Sequence, residues 1–367
     1  MRILHLANHT DTIGSGAVNA MIDLACAQAD DGHSVTVASS GGHFESVLAA
    51  HRVSHVRLVQ RKNVFALPAM LSRFRLVVSR EQPEIVHAHM LTGAVLARLA
   101  AVGGEYALVV TVRGEYQKSS RAMGAGDVLV APTSAIAQPL IARGIPADRV
   151  RVIPSGTVGS RRFDGAPEAV VLQHPSLVCV TKLAERKGVF ELLRAFELVR
   201  QKMPEAHLYF VGDGPDRFRL DEEANAPVFE SHVHVEGFIR DPRGYLAAAD
   251  LFIASAPSDT WPVALNEARE AGCAIVAVRS PGSIAALDDA KAGVFVQSGD
   301  AQAMAHAIIT LLREPALREH WQQRAKQGLE RLSVARMHEA YLQIYRESLA
   351  ARAADEDTKP TVESSGH

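Results

Sequence analysis

Short apolar runs of strand length, bounded by turn residues, alternate with stretches of helical spacing along almost the whole of this chain. In the first half the runs fall at residues 2–7, 34–38, 53–58, 85–89, 107–112, 128–131 and 150–153. After an irregular stretch at 159–174 the rhythm restarts at 177–181, 207–211, 233–235, 250–255, 274–278 and 293–297. Such alternation specifies an α/β fold around parallel sheets covered on both faces. A chain of 367 residues exceeds what one core usually serves. The two rhythms therefore predict two Rossmann-like, doubly wound parallel-sheet domains facing across a cleft. The predicted boundaries are 1–160 and 161–332, with a helix at 333–350 packing back on the first domain and a disordered tail at 351–367.

Composition removes several classes of function. The net charge of −2 gives no whole-chain attraction to nucleic acid. Cys26, Cys179 and Cys273 are far apart and form no C-x-x-C pair, which argues against a zinc site or a disulfide framework. The chain opens directly on a strand with no leader pattern, and no apolar run approaches bilayer length. The expectation is a soluble, cytoplasmic protein. One segment stands apart: residues 52–80 carry Arg52, Arg57, Arg61, Lys62, Arg73, Arg75 and Arg80 and no acidic residue, with Phe65, Met70, Phe74 and Leu76 interleaved. It reads either as a solvated helix face or as a docking surface for an anionic acceptor or the cytoplasmic face of the inner membrane.

The most informative stretch is Ser258-Asp259-Thr260-Trp261-Pro262-Val263-Ala264-Leu265-Asn266-Glu267-Ala268, which follows a strand-length run. Pro262 suits a first helical position, so Asp259 falls in a strand–helix loop and Glu267 within the helix. A helix start offers unpaired N–H groups to phosphate or sugar oxygens, and carboxylates accept from hydroxyls. The competing reading is an ordinary capped helix. Lys182 and Lys187 end another predicted strand and suit a diphosphate, unless they are simply solvated. Gly14-Ser15-Gly16 follows the first strand, but the six-residue dinucleotide fingerprint is absent. His87 and His89 share one face of a strand; with no third ligand evident nearby, they read as structural or polar-site residues rather than a metal pair.

In this order the motifs resemble those of the retaining glycosyltransferases of family 4, with the GT-B architecture. Ser15-Gly16-Ala17 resembles the family's acceptor-side glycine loop, and His87-Ala88-His89 its histidine-bearing strand end. Ile153-Pro154-Ser155-Gly156 resembles its interdomain turn, and Thr181-Lys182-Leu183 through Lys187-Gly188 its basic loop. Asp259 through Glu267-Ala268 resembles its paired-carboxylate signature. The resemblance implies sugar transfer from a nucleotide diphosphate with retained anomeric configuration, no metal and no cofactor. The implied donor is a UDP-sugar, with a GDP-sugar open; the sugar is a hexose or N-acetylhexosamine. By the same analogy Lys182 and Lys187 hold the diphosphate, and Glu267 accepts from the ribose. Asp259 meets the donor sugar, helped by backbone N–H groups at Trp261 and Val263 on either side of Pro262, all three placed at the donor. Phe238 and Ile239 flank the base, Gly16 admits close backbone approach, and Ser15 and His89 lie on the acceptor or sugar side.

The departures are specific. Asp259 is a methylene shorter than the family's Glu, Lys182 replaces Arg, and Ser15 replaces a glycine. Arg113 stands where the family commonly has His, and is expected to pair with a phosphate or carboxylate of the acceptor or donor. The implied acceptor is an anionic cell-envelope glycan or glycolipid, such as lipopolysaccharide core or a lipid-linked saccharide. Two alternatives remain: a nucleotide-sugar epimerase of the same fold, and a non-catalytic nucleotide-sugar-binding subunit.

Overall fold

The computed structural model describes every residue except 12–15, 61–63, 102–105, 113–123, 125, 164, 230, 260, 289–290 and 358–367. By contact the chain forms two units. One comprises Met1–Thr10, Leu24–Ile153 and Ala335–His367, the other Asp11–Asp23 and Pro154–Val334. The boundary placed near residue 160 from sequence thus falls at Pro154, and Asp11–Asp23 is counted with the second unit. Hydrogen bonds give the reason. Thr157 and Val158 donate backbone N–H groups to Leu332 O, and Asp23 accepts from Ser160, Arg161 and Arg162.

The elements of the first half, in order, are β1 (Arg2–Leu6), α1 (Gly16–Asp30), β2 (Ser34–Ser39), α2 (Glu45–Ala50), β3 (Ser54–Arg57), α3 (Leu67–Glu81), β4 (Ile85–Ala88), α4 (Leu91–Ala100), β5 (Ala107–Thr111), β6 (Val128–Ala131), α5 (Ser134–Ala142) and β7 (Val150–Val152). The strands form one parallel sheet in the order β3-β2-β1-β4-β5-β6-β7. Its strands are apolar on both faces because helices cover both. Helix α3 shows the rule for an outer helix: Met70, Phe74 and Val78, four apart, are buried, while Arg73, Arg75, Leu76 and Arg80 face out.

The second half contributes β8 (Ser176–Val180), α6 (Val189–Arg200), β9 (His207–Val211), α7 (Arg217–Ala224), β10 (Val233–Gly237), α8 (Arg243–Ala248), β11 (Leu251–Ala254), α9 (Val263–Ala271), β12 (Ala274–Val278), α10 (Pro281–Ala286), β13 (Val294–Val296), α11 (Ala301–Arg313) and α12 (Pro315–Ala325). Its parallel sheet runs β10-β9-β8-β11-β12-β13. After α12, Gly328, at φ 69, leads into a short 3-10 turn at Leu329–Leu332. Arg269, on α9, is fully buried and donates to the carbonyls of Ala325, Ala286 and Gln327, so one side chain ties off the ends of α10 and α12.

The last helix, α13 (Val334–Asp357), corrects the sequence reading of a disordered tail from 351. Alanine- and glutamate-containing sequence continues the helix through residue 357, and Arg352 donates to the Tyr106 carbonyl. Residues 358–367 lie outside the described residues.

The histidines expected as a pair form a buried trio. Register places His5 of β1 beside His87 of β4, and His5, His87 and His89 bring ring nitrogens within 4.8 Å of one another. The third ring that the sequence did not reveal is His5. Spacing alone would allow a metal, and hydrogen bonds also run between these rings and to their neighbours. His5 Nε2 donates to Gln28 Oε1 at 2.7 Å, so its Nδ1 accepts from His89 Nε2 at 2.9 Å. His87 bonds Tyr345 OH at 2.6 Å and Thr111 Oγ1 at 2.7 Å, and Thr111 reaches Tyr341 OH at 2.9 Å. Two tyrosines of α13 are therefore fastened to β4 and β5 by a buried polar ladder. Burial, opposed by the Gln28 bond, pushes His5 down to about 4.

Candidate active site

In an open parallel sheet, ligands bind beyond the carboxyl ends of the strands where the strand order reverses. In the second sheet that reversal lies between β8 and β11, which pair directly. The loop after β8 carries Lys182 and Lys187, and the loop after β11 carries Asp259. The fold thus brings together the basic loop and the first carboxylate singled out in the sequence.

Glycines let these loops lie in backbone contact. A Cβ on Gly188 would overlap the Ser255 carbonyl oxygen, and one on Gly214 the Leu183 carbonyl oxygen. Gly188 also holds φ 72, a conformation that other residues adopt only at a cost. Ser255 Oγ donates to Lys187 O at 2.8 Å and completes the join. With the loops so fixed, Lys187 Nζ donates to Asp259 Oδ2 at 2.7 Å. The pair is partly open, with side-chain exposures of 17% and 21%. Lys182 is half-buried and has no ion-pair partner among the described residues.

Helix α9 begins after Pro262 with no side-chain cap, so its first-turn N–H groups are left for another acceptor. Trp261 and Val263 are buried against Leu332. Gly16 packs at this helix start: a Cβ there would stand 2.9 Å from Val263 Cγ2. The missing side chain at Gly16 is thus accounted for by contact with protein. Ser283 caps α10 together with Ser280 and is fully engaged there.

Glu267, in the second turn of α9, is 7% exposed. Its Oε1 accepts from Arg162 Nη2 at 2.8 Å, and Arg162 Nε donates to Asp23 Oδ2 at 2.9 Å. Burial works against the guanidinium charge, yet the two carboxylates outweigh it and hold Arg162 above its ordinary range. Neither Arg162 nor Asp23 was singled out from sequence. Asp23 did leave a signal, a lone carboxylate in the apolar run from Ala20 to Ala27. Glu270 lies in the same neighbourhood; burial raises its pKa, and Glu267 adds to the rise.

Phe238 and Ile239 follow β10 and are half-buried, with Ile239 packed against the core on one face of the sheet. His89 is 4% exposed, and its Nε2 is bonded to His5 in the ladder. Ser15 and Arg113 lie outside the described residues, as do Arg61 and Lys62 of the basic segment.

Two family descriptions match the chain: Glycosyltransferase Family 4 over residues 14–158 and Glycosyl transferases group 1 over 162–328. The lipopolysaccharide core biosynthesis glycosyltransferase LpsE of Rhizobium meliloti (strain 1021) is 28% identical over 221 residues, 59% of this chain and 64% of that protein. LpsD of the same organism is 28% identical over 177 residues, 48% of this chain and 50% of its own. The chain thus spans less than two thirds of the length of either relative. Among solved structures, Anabaena HepE in complex with UDP superposes with a TM-score of 0.79 at 18% identity, covering 95% of this chain and 100% of that one. WaaG, a glycosyltransferase involved in lipopolysaccharide biosynthesis, gives 0.74 at 16% identity, covering 94% and 99%. At these identities the structural likeness speaks to the fold, two Rossmann-like parallel-sheet domains of the GT-B kind.

Proposed function

Because the chain belongs to the glycosyltransferase family that these two descriptions define, we propose that it is a retaining, metal-independent hexosyltransferase acting on a nucleotide-diphosphate sugar. The observation that supports this reading is the pairing of β8 and β11, which brings the loop bearing Lys182 and Lys187 against the loop bearing Asp259, with Lys187 and Asp259 in contact. The diphosphate meets Lys182 and Lys187. An ammonium has three donors, so Lys187 can serve Asp259 and a phosphate oxygen together. The uncapped start of α9 adds positive potential to the same place. Glu267 accepts from the ribose, and Asp259 meets a sugar hydroxyl.

In the reaction, the bond between the anomeric carbon and the β-phosphate oxygen breaks as the acceptor oxygen bonds on the same face. The departing phosphate oxygen takes the acceptor's proton. The two lysines stabilise charge on the leaving diphosphate, the part a divalent cation plays elsewhere. UDP is the favoured nucleotide, with GDP open, and the sugar is a hexose or N-acetylhexosamine. The acceptor is an anionic cell-envelope glycan, in keeping with the lipopolysaccharide-core assignment of LpsE and LpsD.

The test is thermal denaturation with UDP-, GDP- and ADP-sugars, since a ligand that binds only the folded state raises Tm. NMR of the bound sugar nucleotide in EDTA then gives the chemistry. Slow hydrolysis that first releases the donor's own anomer supports the proposal. Conversion of donor to an isomer without acceptor identifies an epimerase, and binding with no turnover identifies a non-catalytic subunit.

Contact with an anionic membrane face belongs to the same reading. The outer face of α3 presents Arg73, Arg75 and Arg80 around Leu76, which is 73% exposed. No helix among the described residues is long and apolar enough to cross a membrane, so attachment would be peripheral. Flotation with acidic vesicles should recover the wild type but not a variant with Arg73→Glu and Arg75→Glu; equal recovery rejects this contact.

A further inference from the structure

The proposed ribose acceptor, Glu267, is not an isolated carboxylate. Its Oε1 is taken by Arg162, and among the described residues no hydrogen bond to Oε2 is found. Arg162 in turn is fixed on several sides. Asp23 takes its Nε, and the same carboxylate accepts from Ser160 Oγ at 2.7 Å and Arg161 N at 2.8 Å. The guanidinium lies 4.7 Å from the ring of Phe163, whose ring also carries Arg243 at 4.6 Å. The side chains of Arg162 and Asp23 are 3% and 1% exposed. A planar fork held at one edge and stacked on an aromatic ring has little freedom left at its other edge.

We propose that Asp23 and Arg162 are positioning residues that set the Glu267 carboxylate for the donor's ribose hydroxyls, and so determine the preference for a ribonucleotide over its 2′-deoxy form. The proposal rests on the reading of Glu267 as ribose acceptor and adds what makes that acceptor selective. A carboxylate free to swing can follow whichever hydroxyl remains. One whose Oε1 is pinned offers Oε2 in a single place, and a nucleotide lacking the matching hydroxyl leaves it without a partner. Arg162 is shared between Asp23 and Glu267, so both carboxylates are held by one guanidinium.

The experiment is isothermal titration of the full chain with UDP and 2′-deoxy-UDP, and with GDP and 2′-deoxy-GDP. It uses wild type, Arg162→Lys, Asp23→Asn and Phe163→Leu, each first checked for cooperative unfolding. The wild type should prefer its ribonucleotide by about tenfold or more, the worth of a hydrogen bond to a charged group. In the variants that ratio should fall toward one while affinity for the 2′-deoxy form stays within about threefold of wild type. Phe163→Leu leaves both ion pairs and removes only the stack, so it reports even if the charge variants do not fold. An unchanged ratio in the folded variants overturns the relay. So does a parallel loss of both forms, which is what general damage produces. If the wild type itself does not discriminate, or binds none of the four nucleotides, the ribose reading of Glu267 has failed and the relay fails with it.

Discussion

Lys187 and Asp259 stand 2.7 Å apart, an ammonium from the loop after β8 against a carboxylate from the loop after β11. Sequence reasoning gave them separate partners, the diphosphate and the sugar. Their contact couples those roles, because a diphosphate entering the site meets a lysine already half neutralised. The two substitutions should therefore act in opposite directions on nucleotide binding. Lys187→Ala should weaken UDP by about tenfold or more. Asp259→Asn should leave UDP binding unchanged or tighter while lowering turnover of the sugar nucleotide. Titration with UDP separates these outcomes, and equal weakening by both changes would contradict the shared-lysine arrangement.

Arg162, flanked by Asp23 and Glu267, is a buried ion triad, and such groups cost most when one member is removed. Arg162→Met leaves two carboxylates facing each other out of water. It should destabilise the second unit by about 3–5 kcal/mol, read as a lower urea midpoint. The double change Arg162→Met with Asp23→Leu removes one stranded charge and should recover part of that loss. A single variant as stable as the wild type would mean that the carboxylates find other donors.

Which features could be read from the chain follows from their range. The strands and their rhythm are local, so Val128–Ala131 and His207–Val211 were located to the residue. Lys182, Lys187 and Asp259 could be placed together because the rule for strand ends of a parallel sheet needs only topology. Arg162 and Asp23 could not be paired that way: they are 139 residues apart, and Arg162 lies in a stretch without periodicity. His5 was missed for a similar reason, since only the register of β1 on β4 sets it beside His87. The helix beyond residue 350 is different: its alanines and charged residues favour helix locally, while its lack of apolar periodicity resembles that of a disordered tail.

Gly188 and Gly32 both hold positive φ, 72 and 83, and allow backbone strain to be separated from crowding. A Cβ on Gly32 would meet nothing within 4 Å, whereas one on Gly188 would overlap the Ser255 carbonyl oxygen. Gly32→Ala should cost about 1 kcal/mol, the left-handed penalty alone. Gly188→Ala should cost more and should also displace Lys187, reducing the thermal shift given by UDP. Urea midpoints with and without UDP test both parts, and equal losses with an intact UDP shift would remove the loop contact from the account of the site.

The His5 ladder makes stability depend on pH in one direction. In the unfolded chain His5 takes its proton near the ordinary 6.5, but in the fold only near 4. Between these values the unfolded state binds more protons, so stability is fully present above the upper value and is lost as pH falls toward the lower. The loss should amount to about 2 kcal/mol between roughly pH 7.5 and pH 5. The groups facing His5 are His89, which donates to it, His87 alongside, and Gln28, which accepts from it. A protonated His5 can no longer accept from His89, so protonation breaks the ladder rather than merely charging it. His207, also pushed down to about 4 by burial and by His232 and His234, lies on the more open second sheet, where water screens its contribution. His5→Gln removes the titrating group. Its urea midpoint should accordingly fall less steeply than that of the wild type over the same range, whatever its stability at neutral pH. Parallel curves for the two proteins would place the acid sensitivity elsewhere.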